Sequence, residues 1–64
     1  MGTPLSVALD IERVVAEACR SERPLDVSTC ADELYLRFLA AGCSRGQIAA
    51  VLAEEATAAG VAIR

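Results

Sequence analysis

The chain has 64 residues and a net charge of −3, with six arginines, no lysine and no histidine, and 55% of its residues are apolar. That length allows one domain, which we expect to cover residues 1–64. The acidic balance argues against binding to nucleic acid through phosphate neutralisation, and the lack of histidine removes the commonest general base and metal ligand.

The polar residues give no support for catalysis or for binding of a cofactor or metal. The acidic pairs at 32–33 and 54–55 are adjacent in sequence, so their side chains diverge on a helix and cannot share a substrate. A cysteine nucleophile would have no histidine to activate it. Cys19, Cys30 and Cys43 include no CxxC pair, so we expect free thiols that pack as small apolar side chains. We therefore expect neither an enzyme nor a cofactor-binding protein.

The N-terminal residues MGTPLSVALDIE lack the features of a signal peptide. They have no basic start, and Asp10 and Glu12 interrupt the apolar stretch. No apolar run approaches the roughly 18 residues of a membrane-spanning helix. We expect a cytoplasmic protein without membrane attachment.

The first helix is predicted over about residues 4–20. It starts either with Thr3 as cap and Pro4 at the first helical position, or one turn later at Ser6. Five apolar residues recur at helical spacing and predict its buried face: Val7, Ile11, Val14, Val15 and Ala18. Pro24 resists helix, so the helix should end before it. Leu25 and Val27 of the following linker are expected to pack beneath the helices.

The second helix is predicted over about residues 29–41. Asp26, Ser28 and Thr29 are alternative N-caps for it. Its buried face is predicted to consist of Ala31, Leu34, Tyr35, Phe38 and Leu39. Gly42 is expected to end the helix with a positive φ.

The third helix is predicted over about residues 44–59, where Ser44 and Gln47 have the spacing of a capping box. Its inward residues are predicted to be Ile48, Val51 and Leu52. Gly60 should end it and leave a short C-terminal tail. The predicted fold is all-α, a compact three-helix bundle with a helix-turn-helix formed by the second and third helices.

The run RFLAAGCSRGQIAAVL surrounds the predicted turn. Gly42 permits a sharp reversal, Cys43 fills the corner, and Ser44 caps the next helix. Ile48 should then meet the face of the second helix. This run resembles the helix-turn-helix of Fis-type nucleoid proteins, over about 16 of the 64 residues. The resemblance implies a fold and, by itself, no function.

The resemblance places six residues at the exposed recognition positions of the third helix: Arg45, Gln47, Ala49, Ala50, Ala53 and Glu54. A DNA-binding helix carries cationic or amide side chains at several of these positions. Here only Arg45 and Gln47 qualify, and Glu54 has the wrong sign for a phosphate, so we expect the monomer to bind DNA poorly. Small alanines let a protein partner approach the backbone closely, although alanine is also simply the best helix former.

Leucines on the outer sides of the first two helices also indicate a surface that binds another protein chain. Leu5, Leu9 and Ala16 form an apolar strip opposite the core face of the first helix. Leu36 and Ala40 point away from the core face of the second helix. We expect Leu5, Leu9 and Leu36 to form a second contact or the seam of a homodimer.

The chain is similar to the small antiactivators of rhizobial integrative and conjugative elements. The similarity lies in its size, its turn motif and its alanine-rich composition, with arginine as the only basic residue. That resemblance implies that the chain binds a transcriptional activator and blocks it. Quorum-sensing LuxR-type regulators are one kind of such activator. The hypothesis is therefore a small regulatory protein whose helix-turn-helix binds protein. One alternative is a DNA-binding helix-turn-helix module that acts as a dimer or with a basic partner, and another is a purely structural assembly module.

Overall fold

A computed structural model describes residues 4–64 of the chain. It contains three α-helices, α1 (Leu5–Ser21), α2 (Val27–Arg37) and α3 (Arg45–Ala58), and a 3₁₀ segment, Leu39–Ala41, that follows α2. α2 and α3 pack closely against each other, and α1 packs against α3. The predicted all-α three-helix bundle is thereby confirmed, with α2 and α3 as the two helices on either side of the turn.

α1 begins and ends one residue later than predicted, and Thr3, a predicted cap, lies outside the described residues. Its fully buried residues are Val7, Ile11 and Val15, which follow one another at intervals of four along one side of the helix. Val14 and Ala18, also predicted for this face, are half-buried and pack against the same core. The helical periodicity therefore located the inward side of α1 correctly.

The C-terminal end of α1 is closed by a Schellman motif. The N–H of Arg23 donates to the carbonyl of Ala18 (3.2 Å), and the N–H of Glu22 donates to the carbonyl of Cys19 (3.2 Å). Glu22 has a left-handed φ of 53°, in a position that glycine usually occupies. These two bonds satisfy the carbonyls of Ala18 and Cys19, which a further helical turn would otherwise have to pair, so the helix can end here.

α2 differs from its predicted bounds at both ends, since it begins two residues earlier and ends four residues earlier. Asp26 is the N-cap, because its carboxylate accepts a hydrogen bond from the N–H of Thr29 (3.1 Å). Phe38 leaves the helical conformation, with φ −114° and ψ 37°, and the 3₁₀ segment follows.

This early end corrects the predicted core face of α2. Ala31 and Leu34 are buried and Phe38 is half-buried, but Leu39 is 58% exposed and Tyr35 lies at the exposed edge. Phe38 leaves the α-helix and Leu39 begins the 3₁₀ segment, so the α-helical spacing that predicted burial does not extend to Leu39. Tyr35 lies within α2, at the border of the side that faces the core. The prediction of burial is wrong for Leu39 and Tyr35.

The turn between α2 and α3 has the geometry that the sequence predicted. Gly42 has a left-handed φ of 78°, and the side chain of Cys43 is buried in the corner. Ser44 caps α3, since its Oγ accepts a hydrogen bond from the N–H of Gln47 (3.0 Å). The return bond from the Gln47 side chain is not formed within residues 4–64, so only one half of the predicted capping box is present.

The tail that follows α3 is an ordered part of the bundle. The N–H of Val61 donates to the carbonyl of Ala56 (2.8 Å), which closes a second Schellman motif at Gly60, where φ is 75°. The tail then pairs with the linker, because Leu25 donates to the carbonyl of Ala62 (2.8 Å) and accepts from the N–H of Arg64 (2.9 Å). Both Leu25 and Val61 are buried, so this pairing encloses one end of the core.

The core lies between the inner sides of the three helices. α3 contributes Ile48, Leu52 and Ala56, all essentially inaccessible, whereas Val51 is half-buried. Among the helices of residues 4–64, none combines the length and the apolar character needed to cross a membrane.

Candidate protein-binding surface

The side of α3 opposite its core residues faces outward. We call it the outer face of α3 and define it by Gly46, Ala50, Ala53, Glu54 and Thr57, which lie on the far side of the helix from Leu52 at about 100° per residue. All are exposed except Ala53, which is half-buried. The Thr57 hydroxyl donates to the carbonyl of Ala53 (2.8 Å), so it is satisfied within its own helix. The face therefore presents methyl groups and backbone, with one carboxylate.

Arg45 does not belong to this face, contrary to the position that the resemblance gave it. Its guanidinium turns back to α2, where Nη2 donates to the Oγ (2.8 Å) and the carbonyl oxygen (3.2 Å) of Ser28. Its Nε also donates to a carboxylate oxygen of Asp32. Although the side chain is 43% exposed, its donors are directed at the first turns of α2. Arg45 therefore ties the start of α3 to α2.

Two other predicted recognition positions lie at the edge of the bundle. Ala49 is half-buried and packs against the core next to Ile48, so its predicted exposure is wrong. Gln47 is half-buried as well. The physical reason is that α3 packs against both α1 and α2, and two neighbours cover a wider strip of a helix than one neighbour does. Of the six predicted positions, Ala50 and Glu54 are exposed on the outer face, and Gln47 and Ala53 are half-buried at its borders.

The leucines predicted to lie outside the core are exposed. Leu5 is 74% exposed, Leu9 56% and Leu36 68%. Leu5 and Leu9 share the side of α1 that faces away from its core residues, and Leu36 lies on the corresponding side of α2. The sequence analysis missed two further exposed apolar side chains, Leu39 and Ile63. The sequence analysis had placed Leu39 in the core, because it continued the second helix to residue 41.

Ion pairs occupy most of the arginines in residues 4–64. Asp10 binds Arg13 and Arg37 at 2.8 Å each, Glu17 binds Arg20, and Asp32 binds Arg45. The arginines outside these pairs are Arg23 and Arg64, and both belong to the end of the bundle where linker and tail meet. Within this part of the chain, the outer face of α3 therefore carries no free cation.

The cysteines differ in their surroundings. Cys43 is buried, Cys30 is half-buried and Cys19 is exposed, and all three are free thiols. Burial raises the pKa of the Cys30 thiol, and the nearby carboxylates of Glu33 and Asp26 raise this pKa further. The prediction that the cysteines pack as small apolar side chains is wrong for Cys19.

Hollows border α1 at several places. One, of about 440 Å³, lies between the C-terminal end of α1 and the tail, and another, of about 430 Å³, is an open groove between α1 and α3. A smaller one, of about 180 Å³, lies between α1 and α2, where Asp10, Cys30 and Glu33 line it. Over residues 4–64, no three or more cysteine, aspartate or glutamate side chains come together in a group that could hold a metal ion.

Comparison with known proteins finds no match for this chain: no family model fits it, and no curated protein and no solved structure is significantly similar to it. The likeness to helix-turn-helix proteins and antiactivators therefore rests on the turn residues and the composition alone.

Proposed function

We propose that this protein binds a transcriptional activator through the outer face of α3 and blocks it, as the antiactivators that it resembles do. The observation that carries the proposal is the chemistry of this face. It stands directly after a helix-turn-helix turn, at the place where a DNA-binding protein presents its base-reading side chains. Here it presents Ala50, Ala53 and Glu54.

Such a surface is better suited to protein than to DNA. Most of the free energy of non-specific DNA binding comes from cations that neutralise phosphates. Arg45 is the one cationic side chain of α3, and its Nε and Nη2 donate to Asp32 and Ser28. Glu54 would add a negative charge against the phosphate backbone. Redirecting Arg45 toward DNA would give up its hydrogen bonds to Ser28 and Asp32 on α2, which is a modest cost because both side chains of the ion pair are partly exposed.

The small side chains indicate what kind of partner element fits. Helix axes usually approach to 8–10 Å, and alanine or glycine at the contact favours the short end of that range. Gly46, Ala50 and Ala53 would accept the ridge of a partner helix with larger apolar side chains. A basic residue on that helix could pair with Glu54, which has no ion-pair partner within residues 4–64.

The proposal includes a second contact or a dimer seam, formed by the exposed leucines Leu5, Leu9 and Leu36. Their outward positions are compatible with either role, because none of them contributes to the core.

An affinity capture from the native source tests the proposal. Tagged wild-type protein should enrich a transcriptional activator, which mass spectrometry identifies. Ala50→Arg should abolish that enrichment, because a long cation in the middle of the outer face prevents close approach. Ala62→Arg is the matched control, since it adds the same side chain at an exposed alanine in the tail. Equal enrichment of the activator by wild type and Ala50→Arg would contradict the proposal.

A further inference from the structure

We draw no further inference here: the strongest candidate, the hollow of about 440 Å³ between the C-terminal end of α1 and the tail, rests on the exposed thiol of Cys19 alone, and nothing in the structure shows what would occupy it.

Discussion

Gly42→Ala should destabilise the protein by about 1 kcal/mol. Gly42 has a φ of 78°, and a residue with a Cβ pays roughly 1–2 kcal/mol in this left-handed region. Part of that cost is offset, by about 0.4–1 kcal/mol, because alanine has fewer conformations than glycine in the unfolded chain. A methyl group at Gly42 would meet no atom within 4 Å. The expected loss is therefore conformational and not a clash.

Gly46→Ala is the matched control and should have the opposite sign. Gly46 lies in the first turn of α3, and its added methyl would also meet no atom within 4 Å. Its φ is not positive, so the substitution removes the low helix propensity of glycine and should stabilise by up to about 1 kcal/mol. The same methyl group thus has opposite effects at two sites four residues apart.

Urea and thermal unfolding followed by circular dichroism measure both effects. A chain of this length is expected to have a stability of about 3–10 kcal/mol, and 1 kcal/mol shifts Tm by about 4–8 °C. Gly42→Val should lose more than Gly42→Ala, because a β-branched side chain is more strained at positive φ. If Gly42→Ala melted with the wild type, or Gly46→Ala melted well below it, the assignment of the turn would be refuted.

Three further substitutions or modifications follow from the local geometry. Glu22→Gly should stabilise by about 1 kcal/mol, because Glu22 holds a left-handed φ; a lower urea midpoint would contradict this. Ser44→Ala should cost about 1 kcal/mol, since it removes the cap on the Gln47 N–H, and Ser44→Gly should recover most of the loss. Iodoacetamide should modify Cys19 before Cys30, whose pKa is raised by burial; mass spectrometry that found Cys30 modified first would disprove the order.

The parts of the fold that the sequence predicted are those determined by neighbouring residues. The inner faces of α1 and α3 follow from apolar spacing, the turn follows from Gly42, and the α3 cap follows from Ser44. Each of these depends on interactions within a few residues of the chain. The Asp26 cap of α2 is also local, since it binds the N–H of Thr29. The sequence offered three candidate N-caps for α2 and could not decide between them.

The features that were missed depend on contacts between distant residues. Arg45 looked like a recognition residue because its partners, Ser28 and Asp32, lie on another helix. The pairing of Leu25 with the tail joins the linker between α1 and α2 to residues far along the chain. The left-handed Glu22 is an exception, since it is a local feature that was missed because glycine is the usual signal at such a position. On the candidate surface, Ala50 and Glu54 are exposed as predicted and Ala53 is half-buried, whereas only the structure could show that Arg45 turns toward α2.

The central claim is that the helix after the turn lacks the groups that bind DNA. Its most direct test measures the electrophoretic mobility of duplex DNA at low salt in the presence of the protein. Low salt maximises any attraction to phosphate. With Arg45 held by α2 and Glu54 facing outward, the purified protein at micromolar concentration should leave the mobility of the duplex unchanged. A retarded complex at that concentration would contradict the account and favour the DNA-binding alternative.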